Sequence, residues 1–449
     1  MVLVKTILLI ITLHILLLAN LQFIPWPENL TWPYLNSLGL SYYKDIFVLY
    51  PPFYWELLSW FYKFFGLSMQ SLQLLSWTFV AVTDFILWIV AKRNWKVVAI
   101  YLPLQIFFGG NGLWVDHLLA PFFLLSYHFF QTKKYFFLGL CLGLALLTKQ
   151  TAVYFIFTLA LLLLQKKTSP KQILTTICGL VIPLIGLFIY LISNNQLAYF
   201  YNDAIKYILL FHTKHPLQTQ LPTLRQSIVV MLLYLPVTFT LLKKRQITLL
   251  VLLISASLGV FTRFEYFHLQ PALPFLAMAL ISSVWVLIFY AVFILLFFKF
   301  LFSSWHQSPR FFDESTISNA KLMRSYIGNG ETLVINTWDQ YYWLTDSLPV
   351  GRFFVPSTPW TMDYPGNQQR IVANLAKNTP RYIIYNNCFR VKNLCYYPKL
   401  LAQYVSNNYL LVSKLPDGTG IFQYNPMSVG KIIEPENSKR KIDETKNKN

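Results

Sequence analysis

The chain has 449 residues, 55% hydrophobic, 18% aromatic and only 12% charged, with a mean hydropathy of +0.47. A soluble globule carries about 25% charged residues, so this composition excludes one and requires that much of the surface face lipid. The net charge of +19 does not indicate a nucleic-acid binder: the paired positives fall in short gaps between apolar spans, and no nucleic-acid-binding signature accompanies them.

In chain order, the first 300 residues resolve into about eleven predicted spans, near 2–24, 69–91, 95–110, 114–131, 135–148, 151–165, 172–193, 226–242, 246–261, 268–283 and 285–302. The first carries Lys5 and no clear small-residue cleavage site, and reads as a retained anchor. Between the first and second spans lies YYKDIFVLYPPFYWELLSWFYKFFG, in which Asp45 precedes Pro51–Pro52 and a dense aromatic run. Over 53–66, Glu56, Ser59 and Lys63 are three and four apart and share one helix face. That predicts a helix lying in the membrane interface, the alternative being a ragged start to the second span.

Lys92–Arg93, Lys133–Lys134, Lys166–Lys167 and Lys243–Lys244–Arg245 follow alternate spans. All four clusters therefore lie on one side, which the positive-inside rule makes cytoplasmic. The N-terminus is then cytoplasmic. The loops holding Asp45, Asp116, 194–225 and 263–268 are outside, together with everything beyond residue 303. Domain 1–302 is the membrane domain and 303–427 an extracytoplasmic domain.

In the latter, ETLVINT, RFFVP, PRYIIYNN, YLLVSKL and GTGIFQYN read as strands, separated by three helical segments. The alternation predicts a small α/β fold with a largely parallel sheet, and no glycine fingerprint or phosphate loop occurs in it. Residues 428–449 are charged and rich in Lys and Asn, and are expected to be disordered. Cys141 and Cys178 lie in apolar spans as packing residues. Cys388 and Cys395, seven apart, are able to pair in an oxidising compartment, although spacing alone does not fix the geometry.

Ionisable residues gather at the outer ends of the spans. Asp116 and His117 open the fourth span after GGNGLWV, Lys149 ends the fifth, and Arg263, Glu265 and His268 cluster in TRFEYFHLQPALP after the ninth. Charges at membrane depth cost about 2.5–3.5 kcal/mol each, so they face a cavity or a partner. Any single Lys or Arg can instead be an interfacial anchor whose stem snorkels to water; the set as a whole predicts a polar cavity on the outer face. No HExxH or paired CxxC supports a metal site, and His212 and His215, three apart in a loop, are a weak signal. No nucleophile elbow is present. Asn29-Leu30-Thr31 has the form of a glycosylation sequon.

The segment GLSYYKDIFVLYPPFYWELLSWFYKFFG resembles the first outer loop of polyprenyl-phosphate-sugar-dependent glycosyltransferases of GT-C fold, which include protein O-mannosyltransferases, aminoarabinose transferases of lipid A, and bacterial mannosyl- and galacturonosyl-transferases. Asp45, Pro51, Pro52, Tyr54 and Gly66 match the pattern. FFLGLCLGLALLTKQTA resembles that family's Gly-rich fifth span ending in Lys, and RFEYFHLQPALPFLAMAL its late span with Arg and His. The resemblance implies transfer of a sugar from a polyprenyl-phosphate donor to an acceptor hydroxyl of a lipid, glycan or protein, with inversion. It implies Asp45 as the general base, with Lys149, Arg263 and His268 meeting the leaving phosphate. Asp116, His117, Glu265 and Tyr54 complete the expected substrate-binding set. Asp45 stands without a second adjacent acid, which leaves the use of a divalent metal open; no other cofactor is implied. A flippase of lipid-linked sugars would show inverted repeats and broken helices, and none is evident. A glycan polymerase or ligase would carry its largest outer loop mid-chain, whereas here the largest outer element is C-terminal.

The topology has a direct test. With Lys133→Cys and Ser428→Cys variants in intact cells, an impermeant thiol reagent should label position 428 and not position 133. The reverse pattern would overturn the orientation.

Overall fold

A computed structural model describes residues 2–426 except 262, 283, 329, 353–358 and 392–393. α1 (Val2–Asn20) leads into α2 (Glu28–Ser37) and α3 (Phe53–Phe65). The helical body continues with α4 (Met69–Val90), α5 (Trp95–Phe107), α6 (Val115–Gln131), α7 (Tyr135–Thr148), α8 (Ala152–Gln165) and α9 (Pro170–Ser193). A connector formed by α10 (Leu197–Phe200), a π-helical turn (Tyr201–Tyr207) and α11 (Ile208–Leu210) precedes α12 (Leu224–Lys243), α13 (Ile247–Ser257), α14 (Leu273–Leu280) and α15 (Val284–Ser304).

A helix stands at each of the eleven expected positions. Four of them, Met69–Val90, Pro170–Ser193, Leu224–Lys243 and Trp285–Ser304, are long and apolar enough to cross a bilayer, and shorter apolar helices stand beside them. Large side chains such as Ile185, Phe188 and Ile189 on α9 face outward, as lipid contact requires. The chain is an integral membrane protein. The expected span 268–283 differs: a 3-10 turn (Tyr266–Leu269) is followed by α14, only 8 residues long. That is about 12 Å of helix against a hydrocarbon core of about 30 Å. α14 is buried within the body, and the Gln270 amide ahead of it donates to the carbonyls of Gln105 and Phe108 at 2.9 and 3.0 Å.

The basic turns converge. Lys92, Arg245 and Ser282 border one cavity, Lys244 donates to the Ser282 carbonyl, and Lys166 sits 4.3 Å from the Phe130 ring. Inside the body, His14 on α1 bridges Asp84 on α4 and Gln105 on α5, at 2.9 Å each. Both nitrogens of the buried His14 ring are thereby partnered.

α3 spans the expected interfacial segment as a helix, and its three polar residues meet different surroundings. Ser59 is buried against the Tyr42 hydroxyl at 2.7 Å, Glu56 accepts from the Tyr190 hydroxyl at 2.5 Å, and Lys63 lies over Trp60. Trp60, Phe64 and Phe65 are the exposed face. This suits an interfacial helix with exposed aromatics, Ser59 and Glu56 bonded to protein, and Lys63 left on the exposed face.

Beyond α15 come α16 (Glu314–Ile327), β1 (Glu331–Ile335), α17 (Gln340–Thr345), β2 (Leu348–Pro349), α18 (Asn367–Lys377) and β3 (Tyr382–Tyr385). A small hairpin of β4 (Phe389–Val391) and β5 (Leu394–Tyr396) follows, then α19 (Lys399–Asn408), β6 (Tyr409–Lys414) and β7 (Gly420–Tyr424). The sheet order is β2-β1-β3-β7-β6. β1 runs parallel to β2 and β3, but β7 is antiparallel to β3 and β6. The expected largely parallel sheet is therefore mixed, because the short turn at Leu415–Thr419, with Gly418 at φ +86°, joins β6 and β7 as a hairpin. Of the expected strands, RFFVP lies mostly outside the described residues, as does the tail 428–449. Cys388 and Cys395 are disulfide-bonded with Cα atoms 5.2 Å apart, closing the β4–β5 hairpin. This α/β unit, the cap, shares a continuous apolar core with α2 and α3, in which Trp55 and Leu30 join Met323 and Ile383.

α7 and α9 approach through glycine. A Cβ at Gly139 would meet the Thr176 carbonyl oxygen at 1.9 Å, and one at Gly179 the Phe136 carbonyl oxygen at 2.1 Å. Small residues let helix backbones touch in this way, while Gly186 on α9 faces open space. Gly139→Leu or Gly179→Leu should force the helices apart and cost about 1–3 kcal/mol or more, read as a lowered thermal midpoint in detergent. Gly186→Leu should leave the midpoint unchanged; equal effects at all three positions would contradict this contact.

Candidate active site

The site begins with the loop GGNG. The Asn111 amide donates to the carbonyls of Leu18, Leu21 and Gln22 at 2.9–3.0 Å, and Ile24 donates its N–H to the Asn111 carbonyl at 2.7 Å. A Cβ at Gly112 would meet the Ile24 carbonyl oxygen at 2.3 Å, so only glycine allows this approach. The loop thereby fixes the chain leaving α1, which leads directly to Trp26 and Glu28. α2 is held from both sides. Asn29 donates to the Leu113 carbonyl at 2.6 Å and accepts from the Tyr54 hydroxyl at 2.8 Å, and its own carbonyl accepts from Tyr62 at 3.1 Å. From the cap, the Asp339 carboxylate accepts from the Trp32 indole at 3.0 Å and the Asp339 carbonyl from the Thr31 hydroxyl at 3.1 Å. The sequon is thus closed, since Asn29 is fully buried with its amide committed.

Between helical body and cap lies a cavity of about 90 Å³. Its polar lining is Glu28, Arg263, His212, His268 and Gln218, and its walls include Trp26, Trp32, Trp114, Trp338 and Tyr50. Glu28 is buried in the first turn of α2. Burial first, and the charge of Glu28 second, push the neighbouring Asp339 carboxyl well above its ordinary range. His212 is held down at about 3, by burial first and then by Arg263 and His215. It is therefore neutral near pH 7 and can donate or accept a hydrogen bond without carrying charge. Arg263 lies 3.6 Å from Glu265, both partly exposed, leaving a loose pair at the cavity rim.

Beneath His268 is a closed charge cluster. Lys149 Nζ donates to both Asp116 oxygens at 2.7 Å, and His268 Nδ1 lies 2.8 Å from Asp116 Oδ2 and 3.2 Å from Lys149 Nζ. All three are buried. Asp116 stands in the first turn of α6, where the helix dipole favours an anion. Lys149 follows the last residue of α7. Removing Lys149 alone would strand the carboxylate, a change that costs about 3–5 kcal/mol. The geometry makes Lys149 and Asp116 the support that orients the His268 ring.

The structure brings Asp116, Lys149 and His268 together and places Arg263 and His268 on one cavity. The remaining predicted residues stand elsewhere. Asp45 is half-buried in a turn, where its Oδ2 accepts the Ser41 N–H at 2.8 Å, and it does not line the cavity. Tyr54 ties α3 to Asn29 and to the Leu113 carbonyl. His117 Nδ1 accepts from the Trp114 N–H at 3.2 Å and caps α6. Glu265 pairs with Arg263 behind the rim. Sequence reasoning did not single out Glu28 or the tryptophans, and it weighed His212 only as a weak metal signal. The available signal for Glu28 was WPENLTWP, an acid between two Trp-Pro boundaries just beyond the first span. Among the described residues, no three His, Cys, Asp or Glu side chains converge as a metal ion would need.

No protein-family model and no curated protein sequence matches the chain. Solved structures do match in shape. ArnT from Cupriavidus metallidurans bound to undecaprenyl phosphate superposes with a TM-score of 0.63 at 13% identity, covering 95% of this chain and 99% of that one. The apo state of ArnT gives 0.65 at 12% identity, covering 95% and 98%. The chain therefore shares the fold of ArnT.

The His212 value sets a pH dependence. Because the folded value lies below the ordinary 6.5, the unfolded chain takes up a proton that the folded chain refuses. Stability therefore falls as pH drops from 6.5 toward 3. His212→Gln should flatten this part of the thermal-midpoint profile between about pH 6.5 and 4. An unchanged slope would mean that His212 is not held neutral.

Proposed function

We propose that this protein is a membrane glycosyltransferase that moves a sugar from a polyprenyl-phosphate carrier to an acceptor hydroxyl, with inversion at the anomeric carbon. The observation that carries the reading is the cavity under the cap, where one acid, one arginine and two histidines meet inside an aromatic wall. ArnT, whose fold the chain shares, is a structure bound to undecaprenyl phosphate, and the resemblance of the sequence extends that ligand class to this chain.

Glu28 is the general base in this mechanism. Its carboxylate takes the proton of the acceptor hydroxyl as the oxygen attacks the anomeric carbon, and the bond to the carrier phosphate breaks on the opposite side. Arg263 at the rim meets the phosphate as it gains charge. His268, held by Asp116 and Lys149, and neutral His212 supply hydrogen bonds without paying for further reorganisation. The four indole rings offer flat faces to the sugar and exclude water. Ligand sites for small molecules commonly occupy roughly 300–1,000 Å³, so this cavity of about 90 Å³ must widen to admit the substrate. The positive-inside rule applied to the basic turns supports an extracytoplasmic cap. Asp45 closes its own turn through the Ser41 N–H. A transporter would place its site near mid-membrane, whereas this cavity lies beneath the cap.

The test is transfer from a labelled polyprenyl-phosphate sugar by the reconstituted protein. Glu28→Gln should lower transfer by about 10²–10⁴ while keeping donor binding. Asp45→Asn should lose no more than a few-fold, because an amide oxygen still accepts from Ser41. A dead Asp45→Asn beside an active Glu28→Gln would move the base to the turn. Activity in both would end the carboxylate mechanism.

A further inference from the structure

A second cavity, of about 440 Å³, opens between α12 and α15. Arg225, in the first turn of α12, and Lys299, near the end of α15, both border it and are both exposed. Among the described residues neither cation has an ion-pair partner. Its floor is aromatic: Phe107 packs against Tyr266 and Phe300 at 5.8 and 5.6 Å between ring centroids. Ile228 and Met231 on α12, and Leu295 and Phe302 on α15, are exposed along the same two helices. Two free cations over an aromatic floor, at the cap end of lipid-facing helices, have the chemistry of a lipid-phosphate site.

The groove is separated from the candidate active site by one short segment. Tyr266 borders the groove, while the next two residues, Phe267 and His268, border the active-site cavity. We infer that Arg225 and Lys299 form a second lipid-phosphate site that holds the spent polyprenyl-phosphate carrier after it leaves the active-site cavity. Charge favours this occupant over a phospholipid. A phosphate monoester carries about −1.5 to −2 at pH 7, which two cations match. A phosphodiester headgroup brings one negative charge and would leave a cation uncompensated. This inference rests on the proposed use of a polyprenyl-phosphate donor.

The experiment counts undecaprenyl phosphate bound to the full-length protein in detergent by native mass spectrometry. Wild type should bind two equivalents. Arg225→Gln/Lys299→Gln should bind one, with the second weakened about tenfold or more, and the retained equivalent shows that the fold is intact. Arg263→Gln should weaken the other equivalent and spare this one. Excess phosphatidylglycerol should not displace the Arg225/Lys299 equivalent. Two unchanged equivalents in the double variant would overturn the inference and return both residues to interfacial anchoring. Displacement by phosphatidylglycerol would overturn it in favour of a phospholipid site. A single wild-type equivalent, lost only in Arg263→Gln, would overturn it while leaving the proposed function standing. No binding to wild type would sink both.

Discussion

The burial of α2 is the constraint on which the rest depends. It is a polar ten-residue helix with Pro33 inside it, and residues 28–35 are all buried. Leu30, Trp32, Tyr34 and Leu35 pack it into the apolar core shared with α3 and the cap, and its polar groups need partners there. It is fixed by hydrogen bonds from three directions: the GGNG loop through Leu113, α3 through Tyr54 and Tyr62, and the cap through Asp339. Each bond adds only about 0.5–1.5 kcal/mol net, but leaving such a group buried and unmade costs more. The position of Glu28 is therefore set by partners drawn from the whole length of the chain.

The buried charges around the cavity follow the same logic. Asp116 would be very costly in this environment by itself. The two contacts from Lys149 and the one with His268 neutralise it. A ring so held loses little on binding a ligand, because its orientation is already paid for by folding. Arg263 lies at the opposite extreme, partly exposed and loosely paired at the cavity rim.

The helical body was legible because its signals are local. Apolar runs place the helices, and the alternation of Lys/Arg turns places their ends. The cap strands were legible from their β-rich runs, but the antiparallel β6–β7 pair was overlooked although Asp417-Gly418 between two such runs is a hairpin signal. Asp116, Lys149 and His268 stood out as ionisable residues at span ends, and their convergence follows once the helices are stacked. Glu28 did not stand out, because its environment is built by Asp339 and Trp338, which no local pattern links to it. Asp45 drew attention through its Pro-Pro and aromatic neighbours, a pattern that a tight turn with a Ser41 contact also produces.

The separation of 307 residues between Trp32 and Asp339 has a temporal meaning. At about 5–20 residues per second of synthesis, roughly a quarter of a minute to a minute passes between the emergence of α2 and that of the residues that roof it. Throughout that interval the helical body can insert, but the aromatic chamber has no lid and α2 lacks its third set of partners. A nascent or truncated chain thus carries the acid without the enclosure. Only with the last soluble segment in place do Trp338 and Asp339 enclose the cavity that Glu28 lines.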